Sequence, residues 1–293
     1  MKVALFSPCH IAQHILYSAH PMTIPLEDTF SDVISKSQRG QKYTDRALFL
    51  RAAIGPYEDT LRALKAGEFH HTALLKLGPA LKLEPKRLVA LAKNEYAPQP
   101  VEVDGLAQFN TPHEDYRVNA YIVWDPASKQ AAAFDTGADA TPMLDFIKSK
   151  GLTLTHVFIT HTHIDHVCSL DALKAAGNPT VLSNAREPLE GTTTYEIGSA
   201  KWNVGALSVE PRLTRGHSEG GTTYVISGLS RPVAIVGDAI FAGSMGGAAT
   251  AYADAIEGIR TQILSLPDDT VICPGHGPLT TVGEEKANNP FFP

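Results

Sequence analysis

The sequence predicts an α/β protein preceded by a small all-helical region, and three observations carry that expectation. Apolar residues recur at helical spacing up to about residue 97. Beyond residue 100 they gather into short β-type runs separated by turns and a few helices. Between the two textures stands Ala97-Pro98-Gln99-Pro100, which reads as a stiff linker.

The helical stretch is marked by Leu48, Phe49, Ala52 and Ala53, then Leu61 and Leu64, then Leu74, Leu75, Leu77, Leu81 and Leu83, then Leu88, Val89, Leu91 and Ala92. Gly55-Pro56, Gly67, Gly78-Pro79 and Pro85 punctuate it, so four or five short helices are expected between about residues 27 and 94. The strands expected further on are Val118–Trp124, Ala131–Phe134, Thr155–Thr160, Leu207–Leu213, Thr222–Ile226, Val233–Val236 and Thr270–Ile272. Helices are expected at 141–150, 168–176 and 251–265. The domains are then 1–97 and 98–293. The pattern does not order the strands.

Composition narrows the setting. The chain has 293 residues, 43% of them hydrophobic and 19% charged, enough to bury a core without disulfide staples. Cys9, Cys168 and Cys273 are odd in number and unrelated in spacing, which points to a reducing compartment rather than a disulfide framework. No apolar run is long enough to span a membrane. The N-terminal apolar stretch is broken by His10, Gln13 and His14, so it makes a poor secretory signal, and a cytoplasmic protein is expected. Charge is uneven. Residues 25–97 carry 12 Lys+Arg against 9 Asp+Glu, whereas residues 98–293 carry 12 against 22. The larger part therefore repels nucleic acid.

The chemistry concentrates where the strand Thr155–Thr160 runs into His161-Thr162-His163-Ile164-Asp165-His166. Alternate residues of an extended segment point the same way, so His161 and His163 can share one ion while Asp165 and His166 turn toward a second. Imidazole nitrogen and carboxylate oxygen are the donors that zinc and similar ions take. Three further candidates stand beside glycine: His217 in Gly216-His217-Ser218, Asp238 in Gly237-Asp238, and His276 in Pro274-Gly275-His276-Gly277-Pro278. Each alone reads as a turn or surface residue. Together they form a nitrogen- and oxygen-rich set without cysteine, which suits a catalytic pair of ions rather than a closed structural site.

This set, in this order, resembles the metallo-β-lactamase superfamily, and more specifically the glyoxalase-II-like (hydroxyacylglutathione hydrolase-like) hydrolases. Asn119-Ala120-Tyr121, Phe134-Asp135-Thr136-Gly137, Gly237-Asp238-Ala239-Ile240-Phe241-Ala242-Gly243-Ser244 and the stretch from Pro274 to Thr281 carry the resemblance, over roughly residues 100–293. It implies an αββα sandwich with the metal site along one edge. It implies that His161, His163 and His217 hold the first ion, that Asp165, His166 and His276 hold the second, and that Asp238 bridges them. The expected cofactors are two divalent ions, zinc first, with iron or manganese as alternatives. Two cations sharing a water yield hydroxide near neutral pH, which attacks a thioester or ester carbonyl of a small-molecule substrate. Asp165, besides serving as a ligand, is the expected catalytic proton holder. Many glyoxalase-II-like enzymes carry Arg where this chain has Met245-Gly246-Gly247-Ala248, and true glyoxalase II adds a basic C-terminal helical domain absent before Pro293. A generic thioester or ester is therefore expected rather than lactoylglutathione. The competing readings are a mononuclear iron persulfide dioxygenase, a lactonase, and a regulator whose helical part binds DNA.

Residues 42–92 more weakly resemble a phage-repressor-type helix-turn-helix. The would-be recognition helix opens on Glu58 and Asp59, which face phosphate unfavourably. A docking, dimerising or substrate-covering role is therefore expected over DNA binding, with a homodimer through these helices as the candidate assembly. His10, His14, His20, His70 and His71 read as ordinary histidines, Cys168 as a buried packing thiol, and Trp124 and Trp202 as core or pocket wall.

Overall fold

The computed structural model describes residues 24–54, 58–198 and 200–293. Cys9, His10, His14, His20 and the Gly55-Pro56 turn lie outside the described residues. Helices α1 (Phe30–Gly40), α2 (Asp45–Ala52), α3 (Glu58–Lys65), α4 (His71–Ala80) and α5 (Pro85–Ala92) come first. Polar side chains satisfy orphan N–H groups at the starts of α1, α2 and α5. Thr29 and Asp32 form a reciprocal capping box on α1. Thr44 accepts from the Ala47 N–H at 3.1 Å, and Glu84 from the Arg87 N–H at 2.7 Å. The apolar stripes are largely those the spacing picks out. Leu48, Leu61, Leu64, Leu74, Leu77, Leu81, Leu83, Leu88, Val89 and Leu91 are buried, while Leu75 is exposed. Helices of eight to eleven residues are marginal alone, so packing holds them.

Two six-stranded sheets follow. In the first, β1 (Leu106–His113), β2 (Tyr116–Trp124), β3 (Gln130–Phe134), β4 (Thr153–Phe158), β5 (Thr180–Asn184) and β6 (Thr193–Tyr195) lie side by side in chain order. β1 to β3 pair antiparallel, and β3 to β6 pair parallel. The parallel crossovers carry α6 (Thr141–Lys150), then α7 (Ile164–Val167) and α8 (Leu170–Ala175). The second sheet contains β7 (Trp202–Val204), β8 (Leu207–Leu213), β9 (Thr222–Ser227) and β10 (Val233–Gly237). The small hairpin β11 (Ile240–Phe241) and β12 (Ser244–Met245) comes next, then α9 (Tyr252–Gly258) with a wider π turn at Ile259–Ile263. β13 (Val271–Pro274), β14 (Thr280–Thr281) and α10 (Val282–Asn288) end the chain. The second sheet runs β14-β13-β10-β9-β8-β7.

Period-two alternation sorts the side chains into layers. In β3, Ala132 and Phe134 join the core between the sheets, while Ala131 and Ala133 join the cluster that includes Met143 and Ile147 of α6. In β10, Val233 and Ile235 face the inter-sheet core, and Ala234 and Val236 face the other way. Aromatic rings fill the centre: Phe134 and Phe158 stack with centroids 5.1 Å apart, and Phe158 meets Tyr224 at 5.1 Å. The outer face of the second sheet is covered by Ile259 and Ile263 and by the N-terminal helices. Their buried leucines join Val225, Ala234, Val236 and Ile272 in one cluster. The chain is thus the αββα sandwich that the resemblance implied, with the N-terminal helices contributing to one outer layer.

All the expected strands and helices are present, with ends shifted by at most two residues. One expectation needs correcting. Cys168 is exposed, not a buried packing thiol, because the turn between α7 and α8 leaves its Sγ at the surface beside the Gly137 and Ala138 carbonyls. Cys273 is the buried thiol, and burial pushes its pKa up. His70 and His71 are exposed. Trp124 packs on Phe146, and Trp202 on Phe158 and Tyr195. Among the described residues no helix is long and apolar enough to cross a membrane.

Candidate metal centre

Strand ends and turns deliver the seven predicted ligands to one end of the sandwich. His161 to His166 follow β4, with Asp165 and His166 on the single turn of α7. His217 sits in the connection from β8 to β9, Asp238 just past β10, and His276 just past β13. β10 and β13 are parallel neighbours, so their carboxyl ends lie together.

The ligand-type atoms form two groups. One from each of His161, His163, His217 and Asp238 lie within 4.8 Å of one another, and so do those of Asp165, His166 and His276. His163 Nδ1 lies 3.1 Å from His161 Nε2 and 2.9 Å from His217 Nε2. His276 Nε2 is 3.5 Å from Asp165 Oδ2. Asp238 reaches both groups: Oδ2 is 3.4 Å from His217 Nε2 and 3.3 Å from His276 Nε2, and Oδ1 is 3.4 Å from His166 Nε2.

The outward ring nitrogens are tethered, which aims the inward ones. His276 Nδ1 donates to the Arg117 carbonyl at 2.7 Å, and His217 Nδ1 to the Gly247 carbonyl at 3.0 Å. His166 Nδ1 donates to Asp135 Oδ2 at 2.8 Å. His161 Nδ1 meets Thr160 Oγ1 at 3.1 Å, and that hydroxyl donates to Asp135 Oδ2 at 2.7 Å. With Nδ1 so engaged, four imidazoles turn Nε2 toward the centre, the orientation a metal site needs.

Asp135 therefore orients two ligand rings at once. Its backbone is left-handed, φ 56°, and its Oδ1 also accepts the Thr160 N–H at 2.7 Å. Asp135→Asn replaces one acceptor oxygen with a donor. We expect metal affinity to fall about 10- to 100-fold with little change in the melting temperature. A competition titration with a chromophoric chelator reads this directly, and an unchanged affinity would remove the orienting role.

The loops are clamped from neighbouring strands. Asn119 Nδ2 donates to the Pro274 and Gly277 carbonyls at 2.9 and 2.8 Å, and the Tyr121 hydroxyl to Pro274 at 2.7 Å, which holds the His276 turn on β2. Glu187 accepts from Thr162 N–H and hydroxyl at 2.8 and 2.6 Å and from Gly220 N–H at 2.8 Å, tying the His161 and His217 loops together. Glycine is required where these loops nearly touch. A Cβ at Gly275 would stand 2.1 Å from Asp238 Oδ1, and one at Gly246 would stand 1.8 Å from the Asp238 carbonyl oxygen.

Charge around the cluster is polarised. Burial pushes His161 and His217 down. Burial works the same way on His276 and His166, but Asp238 overrides it, raising His276 to about 9, and Asp238 with Asp135 holds His166 well above the usual range. Asp238 is buried, which disfavours its anion, yet His276 and His166 hold it well below the normal carboxylate range. Burial and the neighbouring Asp165 push Tyr116 up to about 12, so at neutral pH its phenol stays a hydrogen-bond donor at the mouth of the site.

The residues fit a pair of cations. His166 Nε2 and Asp238 Oδ1 are buried and without a hydrogen-bond partner. Orphaned buried polar atoms are costly, and a cation satisfies both. Of the residues that complete the site, Asp135, Tyr116, Glu187, Glu27 and Lys36 were not singled out by the sequence. Asp135 alone had a visible signal, in Phe134-Asp135-Thr136-Gly137 at the end of a predicted strand.

The family follows from comparison. Residues 113–276 match the metallo-beta-lactamase superfamily, and the chain belongs to it. Among similar proteins, the probable metallo-hydrolase YqgX of Bacillus subtilis (strain 168) is 29% identical over 204 residues, covering 60% of this chain and 92% of that protein. Hydroxyacylglutathione hydrolase GloC of Haemophilus influenzae is 28% identical over 201 residues, covering 60% of this chain and 93% of that one. The crystal structure of ETHE1 from Myxococcus xanthus superposes with a TM-score of 0.56 at 25% identity, over 64% of this chain and 84% of that one.

Proposed function

We propose that the protein is a metal-dependent hydrolase of thioesters or esters that uses two divalent cations, zinc first, with iron or manganese as alternatives. His161, His163 and His217 would hold one cation, Asp165, His166 and His276 the other, and Asp238 would serve both. The observation that carries the reading is Asp238 itself. Its two oxygens lie 3.3–3.4 Å from His217, His166 and His276, members of both donor groups.

Bound there, two cations would supply a nucleophilic water at neutral pH and stabilise negative charge on the substrate carbonyl. The chain's own residues do the rest. Asp165, on α7, lines the pocket and would hold a proton from that water. The Tyr116 hydroxyl would offer a donor among the pocket-lining residues. Ile164, 63% exposed, and Phe241 give the acyl or leaving group an apolar wall. The retained second donor group, Asp165, His166 and His276, favours hydrolysis over oxidation at a single iron. The substrate in this reading is a small molecule and not DNA, in line with the acidic charge of the larger part of the chain.

Elemental analysis of the purified protein, paired with a panel of thioesters, esters, lactones and glutathione persulfide, tests this. We expect close to two equivalents of metal and turnover of a thioester or ester. One equivalent of iron with sulfite release and no hydrolysis would overturn the proposal in favour of a dioxygenase.

A further inference from the structure

We propose that Lys36, carried in from α1, determines specificity by anchoring a carboxylate on the substrate; the inference rests on the hydrolase reading above. The ligand cluster opens into a pocket of about 450 Å³, and the N-terminal segment supplies part of its wall through Glu27 and Lys36. Lys36 is the only Lys or Arg lining that pocket among the described residues. The wall built from the chain after Asp238 offers none, since residues 239–253 carry no charged side chain.

The ammonium is held in place. Nζ donates to the Met245 carbonyl at 2.9 Å and pairs with Asp28, which also accepts from Ser244 Oγ at 2.5 Å. Its side chain is 15% exposed. Two of its three N–H groups are thus committed, and the third has no acceptor among the described residues. A lysine whose stem is already fixed loses little rotamer freedom on gripping an anion. Phe241 spans the gap to the ligands: its ring lies 4.9 Å from Lys36 Nζ and 5.6 Å from the His276 ring. The substrate class is therefore an ester or thioester with a carboxylate a few bonds from the scissile carbonyl.

The competing role for Lys36 is a pin that fastens α1 to the β11–β12 hairpin. A succinyl and a butyryl thioester of the same thiol differ mainly in one terminal carboxylate, and they separate the two roles. In Lys36→Met we expect the ratio of kcat/KM for succinyl over butyryl to fall about 10- to 100-fold, mostly through KM, with Lys36→Arg restoring much of it. Succinate and neutral succinamide are also titrated calorimetrically into the metal-free and metal-loaded proteins. Wild type should prefer succinate, and Lys36→Met should lose that preference. An unchanged ratio, or succinate binding equally to wild type and Lys36→Met, would overturn the proposal. If wild type binds metal but cleaves neither thioester, the hydrolase reading fails, and the succinate titration still decides the role of Lys36.

Discussion

Asp238→Ala is expected to abolish turnover, with kcat/KM down about 10³-fold or more, and to lower the metal content from about two equivalents toward one or none. Its carboxylate is grouped with His161, His163 and His217 and also lies 3.3–3.4 Å from His166 and His276 of the other donor group. In the two-cation reading, removal would take an oxygen from each cation, and it leaves His166 Nε2, already without a hydrogen-bond partner, facing a cavity. It also removes the anion that raises His166 and His276 despite their burial, so repulsion among the clustered imidazoles shifts accordingly. Metal analysis and steady-state kinetics on the same preparation check both parts. Two retained equivalents with full activity would show that Asp238 bridges nothing. The contrast is Asp135→Asn, where the ligands remain and only their aim suffers, so the loss should be one to two orders of magnitude smaller.

The converging His and Asp residues were legible in the sequence because each interrupts a strand end or a glycine turn with a residue type that such places rarely need. His161-Thr162-His163-Ile164-Asp165-His166 stood out for density, and His276 for its Pro-Gly and Gly-Pro brackets. Most central strands were legible because both of their faces are covered, β10 reading as the apolar run Val233–Val236, but the central β5 was not expected. β1 was not. It is an edge strand with one neighbour, and Gln108, Asn110 and Pro112 keep it from reading as a strand at all. β6 and β7, three residues each and also at edges, are too short to show a period. The supporting residues escaped for another reason. Asp135 meets His166 because β3 and β4 are parallel neighbours, and Lys36 meets Met245 across 209 positions of sequence. No local pattern encodes a contact that only the packed sheets create.

The largest stability effect is expected from Glu285→Ala, far from the ligands in role although it supports the hairpin beside them. Glu285 is fully buried on α10, and four donors converge on its carboxylate. The Tyr96 and Thr280 hydroxyls reach Oε1 at 2.7 and 2.8 Å, and the Gly243 N–H and Asn289 Nδ2 reach Oε2 at 3.0 and 2.8 Å. These partners come from the segment after α5, from β14, from the β11–β12 turn and from the end of α10, so one side chain fastens four pieces of backbone. Alanine would orphan the donors in the interior, at a cost of about 3–5 kcal/mol, or roughly 5–10 °C in melting temperature. Its titration adds a pH signature. Burial outweighs the four hydrogen bonds and raises Glu285 from 4.5 to about 7, so the folded state binds its proton more tightly than the unfolded chain does. Its contribution is therefore greatest below pH 4.5 and is lost as pH rises through about 7. Glu285→Gln keeps an acceptor for Gly243 and Asn289, and the two hydroxyls can turn to accept from its amide. That variant should unfold at a temperature close to wild type near pH 5 and gain on it by pH 8. Melting curves across that range decide the matter, and parallel curves for wild type and Glu285→Gln would show that the carboxyl does not titrate in this window.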